Sequence, residues 1–164
     1  LHDALPIYIK DRPVFVSSML TCGNALPINA IRFNAWNGFL TMPIWEIAAH
    51  HIEFKAAAES VLMQMNKAFA WVPDGPGLIT ARVIAMIINE AFFALGDGVS
   101  NKASIDIAMK LGTNYPFGPF EWADMIGIDK IIALLNELNK LNDRYQPAPK
   151  LLEALSFIQT NNIH

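Results

Sequence analysis

The sequence predicts a mainly α chain in which a short α/β segment gives way to an all-helical one, and three observations carry that prediction. Before residue 74 there are short apolar runs of strand length at 13–18, 28–33, 44–48 and 69–72, with one stretch of helical spacing before the last. Pro73-Asp74-Gly75 then breaks the chain. From there on, apolar residues recur at helical intervals, interrupted only where glycine and proline cluster.

Pro13 to Ser18 (P-V-F-V-S-S) and Ile28 to Phe33 (I-N-A-I-R-F) are apolar enough to be strands buried on both faces of a parallel sheet, and Ile44 to Ala48 is a third candidate. Between Glu53 and Lys67 the period changes: Ala57, Ala58, Val61, Leu62 and Met65 fall at helical spacing among good helix formers. Phe69 to Val72 returns to a strand, so the order is that of the close of an α/β sheet. A long helix is expected from Pro76, a residue tolerated in a first turn, to Leu95, with Gly96 ending it in the left-handed conformation. Ser100 is the expected N-cap of a helix over 102–111, with Lys110 in its last turn and Gly112 as its stop. Pro116, Gly118 and Pro119 predict a rigid turn, followed by a short helix over 120–125. A helix over 129–142 would bury Ile131, Ile132, Leu134, Leu135, Leu138 and Leu141, and Pro147 and Pro149 precede a last one over 150–158.

Composition narrows the function classes. The 164 residues are 53% hydrophobic and 16% charged, with a mean hydropathy of +0.29. Such an apolar excess in a short helical chain predicts a subunit or domain interface. Net charge is −3, and the 12 Lys and Arg residues form no basic run, which argues against nucleic acid as a partner. The single Cys22 excludes an internal disulfide framework and thiolate-rich zinc sites; it is expected to be a small buried hydrophobe in a cytoplasmic protein. The most membrane-like stretch, Leu78 to Leu95, carries Arg82 and Glu90. Each would cost roughly 2–3 kcal/mol at a bilayer centre, so no membrane association is predicted. No secretory signal is visible, and the chain begins at Leu1 rather than at Met.

Other polar residues carry weaker chemistry. His50, His51 and Glu53 do not predict a metal site, since neighbours on a strand point to opposite faces and no third ligand is placed. Asn89 and Glu90 lie among apolar residues and predict a polar seam facing a cleft or partner, with a substrate-side pair as the minority alternative. Phe117, Phe120 and Trp122 are expected in core around the proline turn, and Asp97, Asp106, Asp124 and Asp129 at helix ends or exposed faces.

Three strings carry a family resemblance: P-G-L-I-T-A-R (76–82), I-D-I-A-M-K-L-G (105–112) and Y-P-F-G-P-F-E (115–121). In that order they resemble the C-terminal helical domain of the 3-hydroxyacyl-CoA dehydrogenases. R-F-N-A-W-N-G-F-L-T-M-P-I-W-E-I-A (32–48) is more weakly similar to the end of that family's nucleotide-binding domain. The resemblance implies a fold class: a partial Rossmann-like α/β segment (1–74), followed by an all-helical domain like that of 6-phosphogluconate dehydrogenase (75–164). It also implies NAD as cofactor, an acyl-CoA substrate, a role in fatty-acid metabolism and a homodimer formed through the helical domain. In the implied chemistry a His takes the proton of the substrate hydroxyl, NAD accepts hydride from the carbon, and a Glu orients the His. Glu46 falls at that Glu position, a strand-edge carboxylate being the alternative reading, while Asn34 and Ser17 are the implied cofactor-side residues; Ser17 and Ser18 align loosely with a Ser/Asn stretch of the family, and polar strand-end residues are the alternative reading for both.

This sequence departs from the pattern in three places. The family's His-Phe-Phe-Asn falls on Ile31-Arg32-Phe33-Asn34, which leaves no base at the His place and requires a short insertion before Glu46. Where P-G-F-I-x-N-R has Asn, this chain has Ala81. No Gly-x-Gly-x-x-Gly follows a strand, so the pyrophosphate-binding half is expected to lie before Leu1. Residues 1–8 match the family poorly. The sequence thus predicts a portion of an NAD-dependent 3-hydroxyacyl-CoA dehydrogenase-like oxidoreductase that is inactive as an isolated chain. The alternative is a non-catalytic dimerisation or scaffold module derived from that fold.

Overall fold

The computed structural model describes residues 11–161, so the poorly matching segment 1–8 lies outside the described residues. Strands β1 (Val14–Ser17), β2 (Ala30–Phe33), β3 (Ile44–Ala48) and β4 (Ala68–Trp71) lie side by side in chain order. The pairs β1–β2 and β3–β4 are parallel and β2–β3 is antiparallel. The sheet is therefore mixed where parallel strands were predicted. Connection length explains the difference: a parallel step needs about a dozen residues or more, which 18–29 and 49–67 supply, whereas 34–43 folds straight back.

Side-chain alternation gives the sheet two faces. Ile31, Phe33, Trp45 and Ile47 point to α1 (Lys55–Gln64), where Ala58 and Leu62 complete a small core. Arg32, Glu46 and Ala48 alternate with them and so occupy the opposite face, on the side of the helical domain. That domain is built around α2 (Thr80–Gly96), against which α4 (Pro119–Ile126), α5 (Ile128–Asn139) and α6 (Pro149–Asn161) pack. α3 (Lys102–Thr113) leans on α4. Ile88, Ile131, Leu134, Leu135, Leu138 and Leu151 are wholly buried in this second core, each worth about 1.5–3 kcal/mol as removed apolar surface.

Several helix ends differ from the sequence-based expectation. Pro76 lies outside α2, because Gly77 (φ 76°) and Leu78 (φ 50°) both adopt the left-handed region and turn the chain before the helix starts. Gly77 permits this and a close approach as well: a Cβ there would lie 2.9 Å from a Leu134 methyl. At the other end Gly98, not Gly96, is the left-handed residue. Asn101 rather than Ser100 caps α3, accepting from the Ser104 amide at 3.0 Å, and left-handed Asn114 rather than Gly112 ends it. α5 stops at Asn139, which leaves Leu141 exposed.

Two polar arrangements pin the chain. Arg32 is only 1% exposed and forms an ion pair with Asp74. Its Nε and Nη2 donate to the Ser18 carbonyl at 3.0 and 2.7 Å, and Nη1 donates to that of Gly75 at 3.0 Å. Asp74 in turn accepts from the Gly23 amide at 2.8 Å. The second arrangement starts α4. Asp106, predicted at a helix end or exposed face, is buried and accepts from the Phe120 amide at 2.8 Å. Glu121 reaches back to the Gly118 amide at 2.8 Å and accepts from Lys110 Nζ at 2.5 Å. The Lys110 hydrogen bond first, and the Gly118 N–H second, hold the Glu121 carboxyl below its usual range.

Replacing Asp74 by Ala leaves the Arg32 charge buried and unpaired, and denaturant unfolding is expected to show a loss of about 3–5 kcal/mol. Glu121, its pKa depressed by folding, stabilises the protein above the unfolded carboxylate value of about 4.3. That contribution disappears as pH falls on through the lower folded value. Glu121→Gln is expected to melt below the parent at neutral pH, with the gap closing in acid; a gap that stays constant from pH 7 to 3 would contradict this.

Candidate functional site

The site forms where the carboxyl edge of β1 and β2, the 34–43 connection and the start of α2 meet. The antiparallel register pairs Arg32 with Ala48 and Phe33 with Ile47, so the next position, Asn34, falls opposite Glu46. Both line one small pocket of about 30 Å³, together with Phe39, Met42, Trp45 and Thr80. Glu46 is half-buried, and its carboxylate caps α2. It accepts from the Thr80 amide at 2.9 Å, from Thr80 Oγ1 at 2.5 Å and from the Ile79 amide at 3.3 Å. A carboxylate at a helix N-terminus satisfies otherwise orphaned N–H groups and faces the positive end of the helix dipole.

Asn34 is 7% exposed. Its Oδ1 accepts from the Trp36 amide at 2.9 Å, which fixes the orientation of the side-chain amide. Nδ2, thereby directed away from Trp36, is buried with no hydrogen-bond partner among the described residues.

A second, apolar pocket of about 210 Å³ adjoins the first and shares Phe39, Met42 and Thr80 with it. Ile84, Tyr115, Phe117, Trp122 and Met125 supply most of its wall. The 34–43 connection is seated on α4 by Asn37 Nδ2, which donates to the Met125 carbonyl at 2.8 Å. It also needs Gly38, at φ 88°, where a Cβ would lie 2.7 Å from Met125 Sδ. Trp122 belongs to the core, as predicted from the sequence, and also faces this pocket, whereas Phe117, expected in the core, is 39% exposed at its rim.

The other sequence-derived candidates divide clearly. Ser17 ends β1 beside Phe33 in the parallel ladder; it is exposed at the same sheet edge but outside the pocket lining. Ile31 is wholly buried toward α1, and Arg32 is consumed by its ion pair, so neither stands at the pocket. The residue beside Glu46 is Asn34. Ala81 is wholly buried in the helical core. Asn89 faces inward rather than toward a cleft: it donates to the Gln146 carbonyl at 2.9 Å and accepts from the Ala148 amide at 2.8 Å. His50 lies 3.9 Å from Asp74 and His51 3.9 Å from Glu53, and no group of three or more potential metal ligands occurs among the described residues. Cys22 is half-buried rather than buried. No helix among the described residues is long and apolar enough to cross a membrane. Thr80, Phe39 and Met42 were not singled out from the sequence. Thr80 alone carried a signal, a hydroxyl residue ahead of a long apolar helix.

Comparison with known proteins places this architecture. Residues 77–159 match the sequence model of the 3-hydroxyacyl-CoA dehydrogenase C-terminal domain, and the chain belongs to the 3-hydroxyacyl-CoA dehydrogenase family. It is 42% identical over 92 residues to 3-hydroxyadipyl-CoA dehydrogenase of Escherichia coli, covering 55% of this chain and 19% of that protein. It is 38% identical over 109 residues to 3-hydroxybutyryl-CoA dehydrogenase of Bradyrhizobium diazoefficiens, covering 65% and 37%. The crystal structure of (S)-3-hydroxybutyryl-CoA dehydrogenase from Ralstonia eutropha superposes with a TM-score of 0.77 at 28% identity, over 88% of this chain and 55% of that one. The matched part of this chain thus spans well under half the length of these two curated relatives.

Glu46→Ala is expected to destabilise the chain by about 1–2 kcal/mol through loss of the cap on α2. Hydrogen exchange should report it locally, with the Ile79 and Thr80 amides losing protection before those in the middle of the helix.

Proposed function

We propose that this chain is the substrate-side portion of an NAD-dependent 3-hydroxyacyl-CoA dehydrogenase-like oxidoreductase, which interconverts 3-hydroxyacyl-CoA and 3-oxoacyl-CoA in fatty-acid metabolism. The observation that carries the reading is the pair of adjoining pockets: a polar one closed by Asn34 and Glu46, and an apolar one of acyl-chain character. In this reading the division at 74/75 separates the end of the nucleotide-binding domain from the helical domain. Glu46 acts as a positioning group, through its hold on α2 and the pocket floor.

NAD fits this chain in part. Asn34 and Ser17 lie at the carboxyl edge of a parallel strand pair, where open α/β sheets bind their ligands. NAD would supply the hydride acceptor there. The chain has no Gly-rich strand-to-helix turn to hold a pyrophosphate. A homodimer through the helical domain is supported by the exposed Ile79 just before α2, Val83 on α2 and Ile107 and Leu111 on α3. The single free Cys22 accords with a cytoplasmic setting.

One set of observations favours a second reading, a non-catalytic dimerisation or scaffold module derived from this fold. Asn34 and Ala81 are not bases, and Ile31 and Arg32 are turned away from the pocket. Both readings agree that the isolated chain is inactive and differ on binding. Mixed with NAD and 3-hydroxybutyryl-CoA, it is expected to form NADH no faster than the blank, while the substrate-side reading alone expects butyryl-CoA to bind in calorimetry. Turnover above the blank would refute the predicted inactivity, and absence of acyl-CoA binding at millimolar concentration would refute the substrate-side role.

A further inference from the structure

Residues 40–42, in the last part of the connection between β2 and β3, are exposed, yet Met42 is a wall common to both pockets. Packing does little to keep it there, since Met42 is itself 44% exposed. Its neighbour Phe39 is anchored in the core, and Asn37 ties the earlier half of the connection to α4. For 40–42, the hydrogen bonds that reach in from outside the connection come, among the described residues, from two side chains, Trp45 and Lys67.

Lys67 belongs to a distant stretch of chain. Asn66, at φ 52°, turns the backbone after α1, and the parallel register that sets Ala68 beside Ile44 brings Lys67 to the end of the connection. Its Nζ donates to the Met42 carbonyl at 2.6 Å and to the Leu40 carbonyl at 3.3 Å, and lies 4.8 Å from the centre of the Trp45 ring. Trp45 Nε1 donates to the same Leu40 carbonyl at 3.0 Å. Among the described residues no carboxylate forms an ion pair with Lys67. Its charge is therefore compensated by two backbone oxygens and a ring face, and only while 40–42 keeps its present path. Immobilising so long a side chain costs rotamer entropy, which a freely solvated lysine avoids.

We propose that Lys67 is a positioning residue for the apolar pocket: by fixing the Leu40 and Met42 carbonyls it holds the Met42 side chain in place as the pocket wall. Lys67 lines neither pocket, so its effect on an acyl chain passes through residues 40–42. This rests on the reading of the apolar pocket as an acyl-binding one.

The test is calorimetric titration of the 164-residue chain with butyryl-CoA and with coenzyme A, which lacks the acyl chain. Lys67→Met keeps the apolar stem beside Trp45 and removes both donors, whereas Lys67→Arg keeps donors for both carbonyls. Lys67→Met is expected to weaken butyryl-CoA binding about tenfold, as the loss of a hydrogen bond from a charged group warrants. Coenzyme A binding should not change, and Lys67→Arg should restore the parent's affinity. In a Met42→Ala background Lys67→Met is expected to weaken butyryl-CoA no further, because the route through Met42 is already gone. Should Lys67→Met fail to fold by circular dichroism, Lys67→Gln, too short to reach both carbonyls, carries the same expectations. Equal weakening of both ligands, an unchanged affinity for butyryl-CoA, or a full effect persisting in the Met42→Ala background would overturn the inference and leave the proposed function standing. A parent that binds butyryl-CoA no better than coenzyme A would overturn both.

Discussion

A guanidinium can be buried only where every direction it points in offers an acceptor, and Arg32 meets that condition by drawing two separate stretches of chain around itself. The exit of β1 offers the Ser18 carbonyl, and the connection between sheet and helices offers Asp74 and the Gly75 carbonyl. Asp74 gathers the Gly23 amide as well. The Met19 carbonyl accepts from the Gly77 amide at 2.7 Å close by. The ion pair therefore sets where the chain leaves the sheet and where α2 can begin. Because β strands alternate faces, placing Arg32 toward this junction sends Ile31 and Phe33 to the α1 core. The same alternation on β3 sends Glu46 toward α2.

The same geometry explains why the residue beside Glu46 is not one of those that alignment by string would choose. Matching His-Phe-Phe-Asn to 31–34 puts the missing base at Ile31 or Arg32, and both are committed to the interior of the fold. Asn34 comes opposite Glu46 through strand register, a long-range property that one-dimensional spacing does not contain. The mixed pairing was hidden for a similar reason. Apolar runs report burial on both faces but carry no strand direction, and only the lengths of the connections separate a crossover from a fold-back.

Elements with strong local signals were legible. The four strands lie within about two residues of their predicted limits, and the helical periodicity beyond residue 75 corresponds to α2 through α6. The ends were less so, because competing caps lie side by side. Asn101 displaces Ser100 and Asn114 displaces Gly112, since an Asn side chain can cap a helix or tolerate the left-handed region as readily as the residues chosen from composition. Gly77 and Leu78 show the stronger effect: tertiary contacts with Leu134 and the Met19 carbonyl impose two left-handed residues where Pro76 alone would have started a helix. Asp106, expected at a helix end or exposed face, and Asn89, expected in a seam facing a cleft or partner, are internal anchors in the fold, because their acceptors meet backbone amides from other elements.

What distinguishes this site chemically is the pairing of a satisfied carboxylate with an unsatisfied amide. An imidazole beside Glu46 would gain orientation and basicity from it, and the pair could move a proton. An amide in that place gains nothing from a carboxylate already bound to the start of α2; its Oδ1 is taken by the Trp36 amide and its Nδ2 is buried. Of the two polar side chains that face each other here, the Glu46 carboxylate is occupied by donors from Ile79 and Thr80, and the Asn34 amide has no proton to exchange near neutrality. Glu46 keeps its structural value under either chemistry, since the cap on α2 holds Thr80 at the wall common to both pockets. The atoms that cap α2 and shape the apolar cavity are thus distinct from the side chain at position 34, so the fold does not depend on which polar group stands beside Glu46.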